Sequence, residues 1–404
     1  MKKWLHNNII YATLHGSRCY GLNDEWSDLD LKGFCIPPRT IEEHLFHRFE
    51  QAENDIDFNE KYRRFSNPKN PKIESTIYSL KKIFKLAAEV NPNCIELFYI
   101  DPSDILYMTP IMEKILEQRD LFLSAKAKFT FSGYAWSQLH KIERHKKWII
   151  KGEIPEPKRS DFGLPPEKAK GMDDVFGLIK SEVEKWNLTQ YPIDEMQRSE
   201  LKTVLWELVY NVSKVNINDG NWPKIYGDGV VERLASEYNL KEDVIDILQK
   251  ERAFKREIDV YKSWLNWKQN RNPARFILET KFGYDVKHAS HLVRLLRMGW
   301  EILTEKKVLV KRPDKDELLF IRRGGWTYDK LIEYANEMNK KLDEEYARQK
   351  QLIAEGKPTP LPREVNKEKL NELYHQLYEE YWYNKEKEKI AFFVEDKIDY
   401  SKGY

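Results

Sequence analysis

The stretch over residues 8–34, NIIYATLHGSRCYGLNDEWSDLDLKGF, decides the fold of this chain. An apolar, β-branched run predicts a first strand, Gly16-Ser17 predicts a tight turn with a short helix after it, and a second strand follows. Side chains alternate between the two faces of a strand, so Asp28 and Asp30 are expected on the same side. Adjacent carboxylates repel unless a divalent cation lies between them. Mg²⁺, with phosphate oxygens completing its shell, is the usual cation in such a site.

This arrangement resembles the nucleotidyltransferases of the DNA polymerase beta superfamily, which carry an apolar strand, Gly-Ser or Gly-Gly, a short helix and then Asp-x-Asp. It is most similar to a branch found in bacteria and phages, sometimes beside RNA ligase genes. The branch signature Gly-Ser…Tyr-Gly…Ser-Asp-x-Asp-x-x-Gly is matched by Gly16, Ser17, Tyr20, Gly21, Ser27, Asp28, Asp30 and Gly33. Without the resemblance, a polar turn followed by a solvated edge strand is the alternative interpretation.

The superfamily mechanism requires a third carboxylate on a neighbouring strand. Glu74 lies in a predicted strand over 72–78, just before a predicted amphipathic helix over 80–90. Asp57 is the other candidate, but it lies in a polar loop with no glycine turn before it. We favour Glu74, although the branch is expected to carry Asp at this position.

A second segment of the resemblance covers residues 284–295, YDVKHASHLVRL. On a helix, Lys287, His291 and Arg294 share a face with His288 beside it, and this face would suit a triphosphate or a nucleic-acid backbone. The alternative is a buried histidine beside ordinary surface cations. His288 and His291 are also spaced for a metal ion, but the sequence shows no third ligand.

A further basic group lies on a predicted helix over 126–150. Its members are Lys141, Arg144, His145 and Lys147. They either face an acceptor substrate or form a solvated basic surface, and the sequence favours the latter.

Composition sets the limits of the interpretation. The chain has 404 residues, 41% of them hydrophobic, with a net charge of +2, so it holds two domains or one with a large insertion. The near-balanced charge neither demands nor excludes a nucleic-acid partner. Three cysteines without metal-ligand spacing argue against a disulfide framework. With no membrane-spanning apolar run and no signal peptide, a soluble cytoplasmic protein is expected.

We therefore predict an α+β protein, with a small mixed-sheet nucleotidyltransferase core and a large helical domain. The core is placed at 1–125, the helical domain at 126–345 with an insertion at about 155–265, and a charged helical C-terminal extension at 346–404. Within the later part we predict a hairpin over 306–322 and helices over 327–353 and 366–385.

The predicted function is transfer of a nucleoside monophosphate from a nucleoside triphosphate, such as ATP, to an acceptor hydroxyl with release of pyrophosphate. Two Mg²⁺ ions, with Mn²⁺ as an alternative, are assigned to the catalytic residues Asp28, Asp30 and Glu74. Nucleotide binding is assigned to Gly16, Ser17, Arg18, Ser27, Lys287, His291 and Arg294.

An RNA end, such as a tRNA or a broken RNA, is the favoured acceptor. A protein hydroxyl and a small molecule stay open as acceptors, and the sequence gives no oligomeric state. The rival hypothesis is a non-catalytic nucleotide- or RNA-binding scaffold that keeps the same fold.

Overall fold

The computed structural model describes residues 3–46, 48–164, 242–271 and 273–397. Its described residues include one five-stranded sheet and many helices, as the α+β prediction requires. The strands are β1 (Ile9–His15), β2 (Leu29–Cys35), β3 (Gln51–Glu53), β4 (Ile73–Ser79) and β5 (Ile105–Met108).

The sheet is mixed, with the strand order β3-β4-β2-β1-β5. The strand β1 is antiparallel to both β2 and β5, and β3 is antiparallel to β4, whereas β2 and β4 run parallel. The register places His15 of β1 opposite Asp30 of β2, and Asp30 opposite Glu74 of β4. One row across three strands therefore carries a histidine and two carboxylates.

The helices are numbered in chain order among the described residues. They are α1 (Lys3–His6), α2 (Arg39–Glu42), α3 (Ile56–Tyr62), α4 (Leu80–Ala88), α5 (Pro92–Ile95), α6 (Pro110–Glu117), α7 (Ala127–Lys151), α8 (Glu242–Gln269), α9 (Pro273–Phe282), α10 (Val286–Glu305), α11 (Lys315–Arg322), α12 (Tyr328–Ala354) and α13 (Lys367–Lys397).

Each face of the sheet has its own core. Leu29 and Leu31 of β2 are buried on one face, in a cluster that includes Phe58 of α3. Phe34 belongs to the larger cluster on the other face. Because strand side chains alternate, Asp30 shares the face of Phe34 and lies on the opposite side from α3.

The turn after β1 differs from the predicted short helix. Residues 16–21 form consecutive turns, in which the Gly21 N–H donates to the carbonyl of Arg18, and the Leu22 N–H donates to that of Ser17. Gly16 and Gly21 have φ values of +63° and +72°. Left-handed backbone at both glycines breaks the dihedral repeat that a helix needs.

The predicted hairpin over 306–322 is wrong. Residues 306–314 form neither helix nor strand, and Lys315–Arg322 is the helix α11. Leu318 and Ile321 are both buried, and their three-residue spacing suits one face of a helix. Asp316 and Glu317 in the first turn also favour a helix N-terminus.

The C-terminal helix α13 is part of the same core as the sheet. Its predicted apolar stripe, Leu370, Leu373, Leu377 and Tyr381, is buried. The Tyr381 hydroxyl donates to the side-chain oxygen of Asn8 at 3.0 Å, next to the start of β1. This helix therefore packs directly against the beginning of the sheet.

The chain divides into two compact units. The first comprises residues 1–147 and 274–404, and the second comprises 148–273. In the second unit, Phe254 of α8 contacts Phe162, and Trp267 contacts Trp148. The predicted insertion lies largely outside the described residues, as do the last residues of the predicted extension, so these domain boundaries stay predictions. Among the described helices, none combines the length and apolar character that a membrane span requires.

Candidate active site

Three carboxylates lie on the same face of the sheet at the N-terminal ends of β2 and β4, although their oxygens are not all within 4.8 Å of one another. Asp30 is the register partner of Glu74 across the parallel strand pair, and Asp28 directly precedes β2. The pKa of Asp30 rises from 3.8 to about 6, chiefly because of burial and also because of the negative charges of Asp28 and Glu74. The charges of both neighbours therefore act on Asp30, and we call the three residues the acidic group.

The glycine turn lies directly against this group. Gly16 follows His15, the register partner of Asp30, and its φ of +63° is unfavourable for any residue with a side chain. A Cβ atom built on Gly16 would lie 2.7 Å from Cγ of Asp30 and closer still to Oδ2. Glycine is therefore required here both by the backbone conformation and by the space that the Asp30 carboxylate takes.

Lys32 belongs to the same face, although the sequence analysis missed it. Its Nζ donates to Oγ1 of Thr76 at 2.9 Å, and its charge lowers the pKa of Asp30. Burial in turn lowers the pKa of Lys32 itself. The signal that could have found it is simple, because a residue two positions after Asp30 on a strand shares its face.

The two candidates for the third carboxylate lie on different sides of the sheet. Glu74 is beside Asp30, and its Oε1 pairs with Nζ of Lys72 at 2.5 Å. Asp57 lies on α3, where it is 3.6 Å from Nε2 of His6, on the face opposite Asp30. The structure thus brings Glu74, and not Asp57, to the acidic group.

The loop residues assigned to phosphate binding differ in whether a ligand could reach them. Ser27 is buried, and its hydroxyl donates to Oδ1 of Asp24 while it accepts from the Asp24 N–H, so it shapes the loop that leads into Asp28. Arg18 lies in the turn, and its buried Nε has no hydrogen-bond partner among the described residues. Ser17 is half-buried next to Gly16. Arg18 and Ser17 are both partly exposed, so they are better placed than the buried Ser27 to contact a ligand at the turn.

A comparison with known families is consistent with this geometry. Residues 1–153 match the family model described as RlaP, the RNA repair pathway DNA polymerase beta family. This segment belongs to the DNA polymerase beta superfamily. The superfamily predicted from the sequence is thereby confirmed.

One curated relative of this chain is the uncharacterized 38.9 kDa protein in the nrdC-mobD intergenic region of Enterobacteria phage T4. It is 22% identical over 187 residues, which are 44% of this chain and 45% of the relative. The chain therefore matches less than half the length of this phage protein, whose printed name states no activity.

The acidic group of the superfamily domain fits a hard divalent cation. Its donors are carboxylate oxygens, which are the ligands that Mg²⁺ and Mn²⁺ prefer. The raised pKa of Asp30 is the observation that tests this fit. The positive charges of Lys32 and Lys287 do not offset the effects of burial and of the neighbouring carboxylates, so a bound cation would stabilise the ionised form. The site residues that would hold such ions are Asp28, Asp30 and Glu74.

The basic segment on α10, outside the matched residues, does not present the continuous positive face that was expected. Lys287 is exposed, and its charge lowers the pKa of Asp30, so it lies within electrostatic reach of the acids. His291 is largely buried, and burial lowers its pKa well below 6.5, which keeps the ring neutral. Along this face, the positive charge near the acids therefore comes from Lys287.

Arg294 occupies an unexpected place in the core. It is fully buried, its Nη1 donates to Oε1 of the equally buried Glu96 at 2.6 Å, and its guanidinium stacks on the Tyr20 ring. Its Nη2 lies 3.2 Å from Nε2 of His291. The prediction that Arg294 faces phosphate therefore gives way to a role as the counter-charge of Glu96, a partner that the sequence did not reveal.

Proposed function

We propose that this protein is a nucleotidyltransferase, which moves a nucleoside monophosphate from a nucleoside triphosphate to an acceptor hydroxyl and releases pyrophosphate. The single observation that carries this proposal is the placement of Asp30 beside the Gly16 turn, with Glu74 as its register partner and Asp28 just before it on the chain. Membership of residues 1–153 in the DNA polymerase beta superfamily supports the same class of reaction.

The three carboxylates would hold two divalent cations, Mg²⁺ or Mn²⁺. When bound, such ions stabilise the attacking and leaving oxygens of an in-line displacement and lower the pKa of the attacking hydroxyl. The contribution of the protein is to fix Asp30 and Glu74 at one register position of a parallel strand pair. Rigid strands hold carboxylates more accurately than loops do, which suits a reaction that depends on positioning.

The phosphates would bind beside the acids at the turn. The backbone N–H groups after Gly16, the Ser17 hydroxyl and the partly exposed Arg18 side chain would supply hydrogen-bond donors. Lys287 adds positive charge from α10. In this proposal Ser27 positions Asp28 from behind, and His291 and Arg294 stabilise the packing of α10 and do not contact the nucleotide.

We favour an RNA end as the acceptor. The family description names an RNA repair pathway, and the exposed Lys287 beside the acids would tolerate an anionic backbone. A protein hydroxyl or a small molecule is the alternative acceptor, and a non-catalytic scaffold is the alternative function. The ionised form of Asp30 is disfavoured by burial and by two other carboxylates unless a cation binds there, and this argues against the scaffold.

The test supplies each nucleoside triphosphate, radiolabelled at the α-phosphate, together with Mg²⁺ and total cellular RNA or protein. The wild-type chain is expected to transfer label to the RNA pool and to release pyrophosphate. Asp28→Asn, Asp30→Asn and Glu74→Gln are expected to lower transfer by about 100-fold or more, since each removes a metal ligand. The matched control Asp57→Asn, on the other face of the sheet, is expected to keep wild-type activity.

The outcomes separate the alternatives. Label in the protein pool would move the acceptor to a protein hydroxyl without changing the reaction. Nucleotide binding without pyrophosphate release, with every acceptor pool, would favour the scaffold. Full activity in Asp30→Asn would contradict the assignment of the site.

A further inference from the structure

A second cluster of metal-ligating side chains lies at the start of α10. It consists of His145 of α7, Asp285, which caps α10, and His288 in the first turn of α10. The Asp285 side chain is fully buried, and 14% and 20% of the two histidine side chains are exposed. One ligand atom from each residue lies within 4.8 Å of the other two. The sequence showed no third ligand for His288 because His145 is 143 positions away along the chain.

The two oxygens of Asp285 have separate roles. Its Oδ1 accepts a hydrogen bond from the His288 N–H at 3.0 Å, which is the N-cap interaction of α10. Its Oδ2 is the atom that faces both imidazoles, at 3.3 Å from Nδ1 of His145 and 3.6 Å from Nε2 of His288. The cap thus orients the carboxylate so that one oxygen points at two ring nitrogens.

These separations suit ligands that share an ion. Nitrogen and oxygen ligands lie about 2.0–2.1 Å from Zn²⁺, so two of them at a tetrahedral angle are about 3.4 Å apart. The observed 3.3 and 3.6 Å lie on either side of that value. Without an ion, the shorter of the two contacts is a hydrogen bond between His145 and Asp285.

We propose that His145, Asp285 and His288 bind a first-row transition-metal dication of the zinc class. Two imidazoles and one carboxylate are borderline ligands that favour Zn²⁺ or Co²⁺ over Mg²⁺. The positive charges of the neighbouring Lys287 and Lys141 would weaken a cation site that depended on negative charge alone. The affinity must therefore come from the coordination bonds of the imidazoles and the carboxylate. Three protein ligands leave one tetrahedral position for water or for a ligand.

Such an ion would tie α7 to the first turn of α10. Lys287, whose charge reaches Asp30, lies between Asp285 and His288 in that turn. The ion would therefore fix the turn that carries Lys287, while its own ligands are distinct from Asp28, Asp30 and Glu74.

The experiment titrates the metal-stripped full chain with Co²⁺ and follows the visible absorption that tetrahedral coordination produces. Competition with Zn²⁺ and with excess Mg²⁺ follows. The wild type is expected to bind one Co²⁺ at this site, to release it to Zn²⁺ and to keep it in Mg²⁺. His145→Ala is expected to weaken binding by at least about 100-fold, because loss of an outer-shell partner alone costs 10–100-fold. The matched control is His140→Ala, an exposed histidine of the same helix.

Two further variants assign the signal. Asp30→Asn tests the nucleotide site, and His6→Ala tests the cluster of His6, Asp55 and Asp57. Both are expected to leave the Co²⁺ spectrum unchanged, which also makes the result independent of the proposed transferase activity. His288→Gln, checked for folding by circular dichroism, replaces His145→Ala if that variant unfolds. Absence of a tetrahedral Co²⁺ spectrum in the wild type, or equal affinity in folded His145→Ala or His288→Gln, would overturn the proposal.

Discussion

Asp30→Asn is expected to abolish transfer and yet to stabilise the folded chain. The pKa of Asp30 rises from 3.8 to about 6 on folding, a difference of about two units. At about 1.4 kcal/mol per unit, the ionised carboxylate costs the folded state about 3 kcal/mol at neutral pH without metal. Asparagine has nearly the same shape and no charge, so the variant avoids this cost. For a unit of this size, the melting temperature should rise by about 5 °C.

The direction of the pKa shift determines how the stability difference between the two chains depends on pH. The pKa of Asp30 in the folded state lies above its unfolded value, so the penalty is complete above about pH 6. It shrinks as the pH falls through 6 and is absent below about pH 4, where Asp30 is protonated in both states. The stability advantage of Asp30→Asn should therefore be largest near pH 8 and vanish near pH 4.

The assay is thermal unfolding of both chains in EDTA across this pH range, and then with Mg²⁺ and a nucleoside triphosphate. Ligands that bind the folded state stabilise it, so the wild type should gain more than the variant and the difference should narrow. A variant that is less stable than the wild type at about pH 8, or an advantage that persists unchanged at about pH 4, would refute this account of the acidic group.

Two further predictions concern the turn and the buried ion pair. Gly16→Ala should lower transfer by about 100-fold or more, because its Cβ would displace the Asp30 carboxylate. In the matched control Gly21→Ala, φ is +72° but the new Cβ would make only an ordinary contact with Lys315, so it should cost about 1 kcal/mol of stability and leave activity intact. Equal activity in the two variants would contradict this. Arg294→Met should destabilise the chain by about 3–5 kcal/mol in urea unfolding, because it leaves Glu96 charged and buried, and adding Glu96→Gln should recover part of the loss. A loss of nucleotide affinity in Arg294→Met without a loss of stability would instead restore a phosphate-binding role.

The elements of the core were largely predictable because their signals are local. The strand of Glu74, predicted at 72–78, is Ile73–Ser79, and the helix predicted after it is Leu80–Ala88. Ser79 caps that helix by accepting from the Lys82 N–H, as such a residue at a strand–helix junction should. The hairpin prediction failed because a short apolar run fits either a strand or a helix until its neighbours decide which.

The basic segment of α10 shows the limit of helical periodicity. The spacing of Lys287 and Arg294 correctly predicts a helix, but it does not say which part of a face is covered by other elements. In the core, Arg294 pairs with Glu96, a residue of a different segment, and so it does not lie at the surface. A cation that pairs with a distant buried acid has the same local pattern as one that faces solvent.

The sequence by itself determined the order of strand, glycine turn and acidic strand, together with the superfamily, because turn conformation and side-chain alternation depend on adjacent residues. Only the tertiary structure decided that Asp30 lies beside Glu74, that Arg294 neutralises Glu96 and that His145 meets Asp285. Each of these pairs joins residues far apart in the chain. Their proximity follows from strand register and helix packing, which local sequence patterns do not encode.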